Sequence, residues 1–120
     1  MRRDELLEMA REAMGRSYSP YSRFAGGAAV LCKDGSIYTG ANIENVAGTS
    51  VCAERVAIFK AVSEGKLDFD EIAIVCDGDK PVVPCGFCLQ TIAEFCEDAF
   101  IHTEEETYRL RELLPMRFRY

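Results

Sequence analysis

The sequence predicts an α/β fold, a three-layer sandwich in which a mixed sheet is covered by helices. Three observations carry that expectation. Helical and strand-like apolar periodicities alternate along the chain. An Asp34-Gly35 pair joins two apolar runs in the manner of a hairpin. Two further short apolar runs are each separated from the next by a helical pattern, the order that produces mixed sheets rather than bundles or sandwiches of strands alone.

Taken in order, residues 4–14 place Leu6, Leu7, Ala10 and Met14 near a 3.6-residue period, which predicts an amphipathic helix. "GRSYSPYSRF" is punctuated by Pro20 and serines and predicts a loop. "GGAAVLC" and "SIYTGANI" flank Asp34-Gly35 as two antiparallel strands, and "ENVAGTS" is a loop. From about Val51 to Glu64 the chain reads as a nearly all-round apolar helix, the kind usually buried, with Gly65 as its terminator. "EIAIVCD" fits a central strand and "GDKPVVP" a loop. "CGFCLQTIAEFC" is a second helix opened by Pro84, "DAFIHT" a last strand, and 104–114 a final helix before the "PMRFRY" tail. The expected order is therefore α-β-β-α-β-α-β-α within one domain, residues 1–120.

Bulk properties narrow the function. With 120 residues, 48% apolar and 28% charged, the chain has ordinary globular values and enough length for one modest core. No apolar run reaches the ~20 residues of a membrane span, and the N-terminus interleaves acidic with apolar residues, unlike a signal peptide. A net charge of −6 with no dense basic run argues against nucleic-acid binding, which needs Lys and Arg to neutralise phosphates. Small neutral or cationic ligands are easier to accommodate. Six cysteines without a secretion signal suggest a reducing, cytoplasmic location, where cysteine patterns serve metals or catalysis more often than disulfides.

The chemistry concentrates at two helix starts. Cys85 and Cys88, three apart, share one helix face about a turn from each other. A C-x-x-C pair reads either as a redox dithiol or as half a zinc site. Cys52 opens the other apolar helix, followed by Glu54 and Arg55. If both N-termini aim at one point, three thiolates converge beside a carboxylate. Three protein ligands with a fourth position open is the layout of catalytic zinc, whereas structural zinc closes with four. Cys32, Cys76 and Cys96 lack paired spacing; the first two read as strand-core thiols and the third as a late-helix core residue. His102, the sole histidine, falls in a predicted strand, so histidine-based catalysis is not expected. Three thiolates on Zn²⁺ leave one net negative charge, which two helix N-termini and a hydrogen-bonding Arg55 would offset.

With "CAE" followed some thirty residues later by "PCGFC", the chain resembles the zinc-dependent cytidine deaminases, specifically their small homotetrameric three-cysteine class. "SPYSRF", "DGSIYTGANIEN", "CAERVAIFKAVSEG", "PCGFCLQ" and the "LLP…F" ending extend the likeness over nearly the whole chain. The resemblance implies one zinc per subunit on Cys52, Cys85 and Cys88, with Glu54 as proton shuttle and Arg55 bonded to the ligand cysteines. It further implies that Asn42 and Glu44 hold the ribose hydroxyls, that Phe24 lines the base pocket, and that Ala53 offers backbone contacts to the base. Phe118 corresponds to a C-terminal aromatic placed over the base by a neighbouring subunit of a homotetramer with shared active sites. The implied reaction is hydrolytic deamination of cytidine or deoxycytidine in pyrimidine salvage.

Two departures bear on the substrate. The segment ahead of Cys52, "NVAGTSVC", is one residue shorter than the family pattern and lacks its tyrosine, and Leu89 stands where arginine is usual while Gln90 is kept. Both leave the zinc chemistry intact but open the alternative of a modified cytosine nucleoside or another aminated heterocycle such as blasticidin S. A non-catalytic zinc or redox module would leave Glu54, Arg55, Asn42 and Glu44 without a role.

Overall fold

The computed structural model describes residues 2–78 and 82–120, so part of the expected 78–84 loop, residues 79–81, lies outside it. In chain order the elements are α1 (Arg3–Met14), β1 (Gly26–Cys32), β2 (Ile37–Ala41), α2 (Ala53–Ser63), β3 (Phe69–Cys76), α3 (Gly86–Glu94), β4 (Phe100–His102), β5 (Thr107–Arg109) and α4 (Leu110–Leu113). The sheet runs β2-β1-β3-β4-β5, which puts the "EIAIVC" run at its centre. β3 and β4 pair in parallel and the other neighbours antiparallel, so the sheet is mixed as expected.

Period-two alternation on the two inner strands builds the layers. Ala28, Val30, Cys32, Ile72 and Ile74 face one side, where they pack with Ala57, Ile58 and Ala61 of α2 and Leu89 and Ile92 of α3. Ala29, Leu31, Ala73 and Val75 face the other, against Leu6, Leu7 and Ala10 of α1. Because both faces are covered, all seven β1 residues are buried, and the strand reads as a continuous apolar run rather than an alternating one.

Two glycines set how close the helices come. A Cβ on Gly27 would overlap the Ala10 carbonyl oxygen and lie 2.7 Å from the Met14 nitrogen, so α1 rests directly on β1 backbone. A Cβ on Gly40 would lie 2.6 Å from the Ala57 nitrogen and 2.9 Å from the Ala53 oxygen, so α2 rests likewise on β2 from the opposite face.

Three expectations need correction. Residues 104–114 are not one helix: Thr107–Arg109 form β5, and only Leu110–Leu113 make a single helical turn. Thr107 and Tyr108 suit a strand and have a partner to pair with in β4 (Ile101↔Tyr108). The three consecutive glutamates ahead of them are taken up by the turn, which the Thr103 hydroxyl closes by bonding both the Glu106 nitrogen and its carbonyl. The all-round apolar helix begins at Ala53, not Val51, and is not buried all round; its Phe59 stays 48% exposed. Cys96 lies just beyond the end of α3 and is half-buried, its thiol donating to the Ile92 carbonyl, and Cys76 is also only half-buried.

His102 is fully buried, and its partners assign its tautomer. Arg3 Nε donates to Thr107 Oγ1 at 3.1 Å, which directs that hydroxyl's proton to His102 Nδ1 at 2.9 Å. Nε2 then carries the ring proton and donates to Glu71 Oε1 at 2.7 Å. Burial pushes the imidazole below its ordinary pKa, against the raising influence of Glu71. These hydrogen bonds tie α1 to β3, β4 and β5.

Candidate active site

The same local device occurs at two places. Cys52 and Cys85 are the N-cap residues of α2 and α3, both with extended backbone (ψ 154° and 170°). Each carbonyl accepts the first helical hydrogen bond, from Val56 and Leu89 respectively. Cys88, one turn into α3, is fully buried, while Cys85 is exposed and Cys52 intermediate. The three Sγ atoms lie within 4.8 Å of one another, and Cys85 and Cys88 are 3.5 Å apart.

That triangle suits a metal ion. Tetrahedral zinc at about 2.3 Å from each sulfur requires sulfurs roughly 3.8 Å apart, and three thiolates form a soft donor set with the fourth position open. The helix N-termini place partial positive charge where the thiolates gather. Arg55 adds a full charge: its Nη2 lies 3.6 Å from Cys52 Sγ, and its guanidinium sits over the Phe87 ring at 5.7 Å. Hydrogen bonding to Cys52, then to Cys88, raises the already high pKa of Arg55. Burial pushes the Cys88 thiol up, with the neighbouring Glu54 and Cys52 charges adding to the effect. Burial also acts on Cys85, but hydrogen bonds from Cys88 and the Phe87 backbone outweigh it and hold that thiol below its ordinary value.

Glu54, in the first turn of α2, is 8% exposed. Burial pushes its carboxyl above the ordinary range, opposed by its own backbone N–H and by Cys88. Ala53 is buried at the helix start. Gly26 brings the remaining site residues near it: a Cβ there would stand 3.9 Å from the Ala53 side chain and 4.0 Å from Asn42 Oδ1. Asn42 Oδ1 accepts from the Gly26 nitrogen at 2.9 Å, and Nδ2 donates to the Phe24 carbonyl at 2.7 Å. Glu44 accepts from the backbone nitrogens of Tyr21 and Ser22 and from the Ser22 hydroxyl, the last first in holding its carboxylate below the usual range. Phe24 is 48% exposed beside them, after Arg23 in the left-handed region at φ 58°.

Phe118 is not brought to this cluster within the protomer. Its backbone exchanges hydrogen bonds with the Gln90 side chain at 3.1 and 3.2 Å, and Arg117 caps the end of α3 through the carbonyls of Ala93, Cys96 and Glu97. A cavity of about 550 Å³ opens under this tail, between Leu67, Phe95, Arg117 and Phe118, and its lining includes none of Cys52, Cys85 and Cys88. Sequence reasoning assigned no role to Ser17, Ser22 or Phe87. Ser22 stands inside the quoted "SPYSRF", but a loop serine carries no local signal that tells a site hydroxyl from an ordinary solvated one.

A family model described as the cytidine and deoxycytidylate deaminase zinc-binding region matches residues 1–103. A cytidine deaminase of Halalkalibacterium halodurans is 54% identical over 97 residues, covering 80% of this chain and 74% of that protein. A blasticidin-S deaminase of Bacillus cereus is 35% identical over an alignment of 127 positions, covering 95% of this chain and 90% of its own. Among solved structures, that of a cytidine deaminase from Mycobacterium tuberculosis superposes with a TM-score of 0.90 at 35% identity, covering 98% of this chain and 97% of that one.

Proposed function

The chain belongs to the cytidine and deoxycytidylate deaminases, and from that premise we propose that it performs zinc-dependent hydrolytic deamination of a cytosine nucleoside, cytidine or deoxycytidine giving the uridine counterpart and ammonia. The observation that carries the reading is the convergence of Cys52, Cys85 and Cys88 at two helix N-termini with buried Glu54 one residue beyond Ala53.

Cys52, Cys85 and Cys88 would hold one zinc ion per subunit, which would supply the Lewis acidity that brings the pKa of a water close to neutral. Glu54 takes one proton from the attacking water and delivers it to ring N3 while the water oxygen bonds to C4. Having given that proton to N3, the Glu54 carboxylate takes the second proton from the oxygen now on C4 and passes it to the amine. The C4–N bond then breaks, ammonia leaves and the C4 carbonyl of the uridine product forms. The burial of Glu54 favours the protonated form and so suits a group that must carry a proton between two acceptors. Arg55 hydrogen-bonds the Cys52 sulfur and tempers the negative charge of three thiolates. Phe24 and the Ala53 backbone receive the base, and Asn42 and Glu44 receive the sugar.

Residues 1–120 act as one deaminase-like domain, assembled as a homotetramer with shared sites. Exposed Phe59 on α2 and Phe87 on α3, 48% and 78% accessible, support a partner on this side of the sheet. The Phe118 ring, 68% exposed although its backbone is tied to Gln90, is available to a neighbouring subunit's site. A cytoplasmic place in pyrimidine salvage accords with six cysteines that form no disulfide. No helix among the described residues is long and apolar enough to cross a membrane, and the net charge of −6 disfavours a nucleic-acid substrate.

The second reading, a modified cytosine nucleoside or blasticidin S, is favoured by the B. cereus relative and by the short "NVAGTS" loop at the sugar end. Ammonia release from cytidine, deoxycytidine, 5-substituted cytidines, free cytosine and blasticidin S separates the two. Glu54→Gln is expected to retain zinc while turnover drops at least about a thousandfold; near-wild-type activity would remove Glu54 from the mechanism.

A further inference from the structure

We propose that Ser17 and Ser22 are positioning residues for the sugar-contacting pair, Ser17 locking Asn42 as a hydrogen-bond donor and Ser22 locking Glu44 as an acceptor. The inference rests on the sugar-binding reading of Asn42 and Glu44 given above. It follows from an inventory of their hydrogen-bonding capacity.

Asn42 Oδ1 has two lone pairs. One takes the Gly26 N–H at 2.9 Å and the other the Ser17 hydroxyl at 2.5 Å. One Nδ2 hydrogen goes to the Phe24 carbonyl at 2.7 Å, which leaves a single N–H to offer a ligand. Since Oδ1 carries no hydrogen, Ser17 is the donor in that bond; in its 3.1 Å contact with the Ser19 hydroxyl, Ser19 therefore donates. A flipped amide would set NH₂ against the Gly26 N–H and the carbonyl against the Phe24 carbonyl, and Ser17 adds a third bond to the orientation that avoids both.

Glu44 is constrained in the complementary sense. Oε1 accepts from the nitrogens of Tyr21 at 3.0 Å and Ser22 at 3.2 Å, and Oε2 accepts from the Ser22 hydroxyl at 2.5 Å. The Ser22 oxygen itself accepts from the Phe24 nitrogen at 3.1 Å, so its one proton is directed to Glu44. What remains free is one acceptor position on Oε2. Asn42 and Glu44 lie two apart in extended backbone, stitched to Tyr18 by Tyr18 N to Asn42 O at 3.0 Å and Glu44 N to Tyr18 O at 2.9 Å, so both side chains leave the same face. One donor beside one acceptor is the complement of a hydroxyl group, which accepts and donates at once. Ser22 also links Phe24, at the base end, to the carboxylate at the sugar end. Neither serine hydrogen-bonds Cys52, Cys85 or Cys88, and Ser22 reaches Phe24 only through its backbone nitrogen, so the loss of either hydroxyl acts first on the sugar-contacting pair.

The test uses zinc-loaded protein with Ser17→Ala, Ser22→Ala, Ser17→Thr and Ser22→Thr. For each, the KM and kcat for cytidine are measured, together with the Ki of 2′,3′-dideoxycytidine as a competitor, which is readable whether or not that analogue turns over. The alanine variants are expected to raise the cytidine KM about fivefold at Ser17 and about tenfold at Ser22, where the partner is charged. Their kcat and dideoxycytidine Ki stay within about twofold, and the threonine variants, which keep the hydroxyl, recover most of the loss. An unchanged KM in both alanine variants would overturn the proposal, as would a KM and Ki that rise together, the signature of a loosened pocket. A wild-type protein that releases no ammonia from cytidine instead removes the nucleoside reading itself, an outcome distinct from active wild type with indifferent serines.

Discussion

Gly40→Ala probes whether the seating of α2 on β2 sets the metal site. The added Cβ would stand 2.6 Å from the Ala57 nitrogen, 2.9 Å from the Ala53 oxygen and 2.9 Å from Val56 Cβ. Two of these atoms are helix backbone and yield only if α2 moves. Ordinary van der Waals separation is about 3.5 Å, so the helix has to lift by roughly 0.6–0.9 Å. Overpacking of this sort costs about 1–3 kcal/mol, which for a chain of 120 residues lowers Tm by about 4–15 °C. The lifted helix carries Cys52 at its cap and Glu54 in its first turn, whereas Cys85 and Cys88 belong to α3. One corner of the sulfur triangle opens, beyond the roughly 0.2 Å that metal–ligand distances tolerate. Zinc affinity, read by chelator competition, should fall at least about tenfold. Gly27→Ala is the control, because it drives into Ala10 and Met14 of α1 on the opposite face. It should cost at least as much stability yet leave zinc affinity within about twofold in protein that remains folded. Wild-type melting and zinc affinity in Gly40→Ala would refute the seating of α2, and equal zinc loss in both variants would refute the separation of the two faces.

Three further outcomes are expected. Zinc affinity should fall by more than a decade per pH unit on acidification, since more than one thiol must lose a proton to bind and burial makes Cys88 especially reluctant; a flat profile between pH 8 and 5 would contradict a thiolate site. His102, with its pKa lowered by burial from 6.5, stays neutral when the unfolded chain takes up a proton, so its contribution to stability is present above pH 6.5 and is lost as pH falls toward the folded-state value. Denaturant titrations should show that slope in the wild type and lose it in His102→Gln, which also forfeits about 1–3 kcal/mol by disturbing the bond to Glu71. Arg117→Ala uncaps the end of α3 and is expected to cost about 1 kcal/mol and to speed chymotryptic cleavage at Phe118 several-fold; an unchanged cleavage rate would show that the tail is held by other contacts.

The metal chemistry was legible before any fold was known because its spacing is local. Cys85 and Cys88 must share a face if a helix starts there, and Glu54 must stand near Cys52 whatever surrounds them. The layers were legible for a related reason: the unbroken apolar runs "GGAAVLC" and "EIAIVC" mark strands covered by helices, and the helical period in 4–14 marks one of the covering helices. Where the expectation for 104–114 failed, the deciding partner was distant in kind rather than in number: Thr107–Arg109 become a strand only because β4 offers an edge to pair with.

By itself, then, the sequence determined the layer architecture, the three thiols and the carboxylate beside them, since helix and strand periods fix direction over a few residues. Tertiary structure alone decided that Cys52 comes within 4.8 Å of Cys85 and Cys88, that Gly40 lets α2 approach closely enough to bring it there, and that Ser17 meets Asn42 across 25 residues of chain. Those are distances between elements, set by how closely backbones pack, and no local period encodes them.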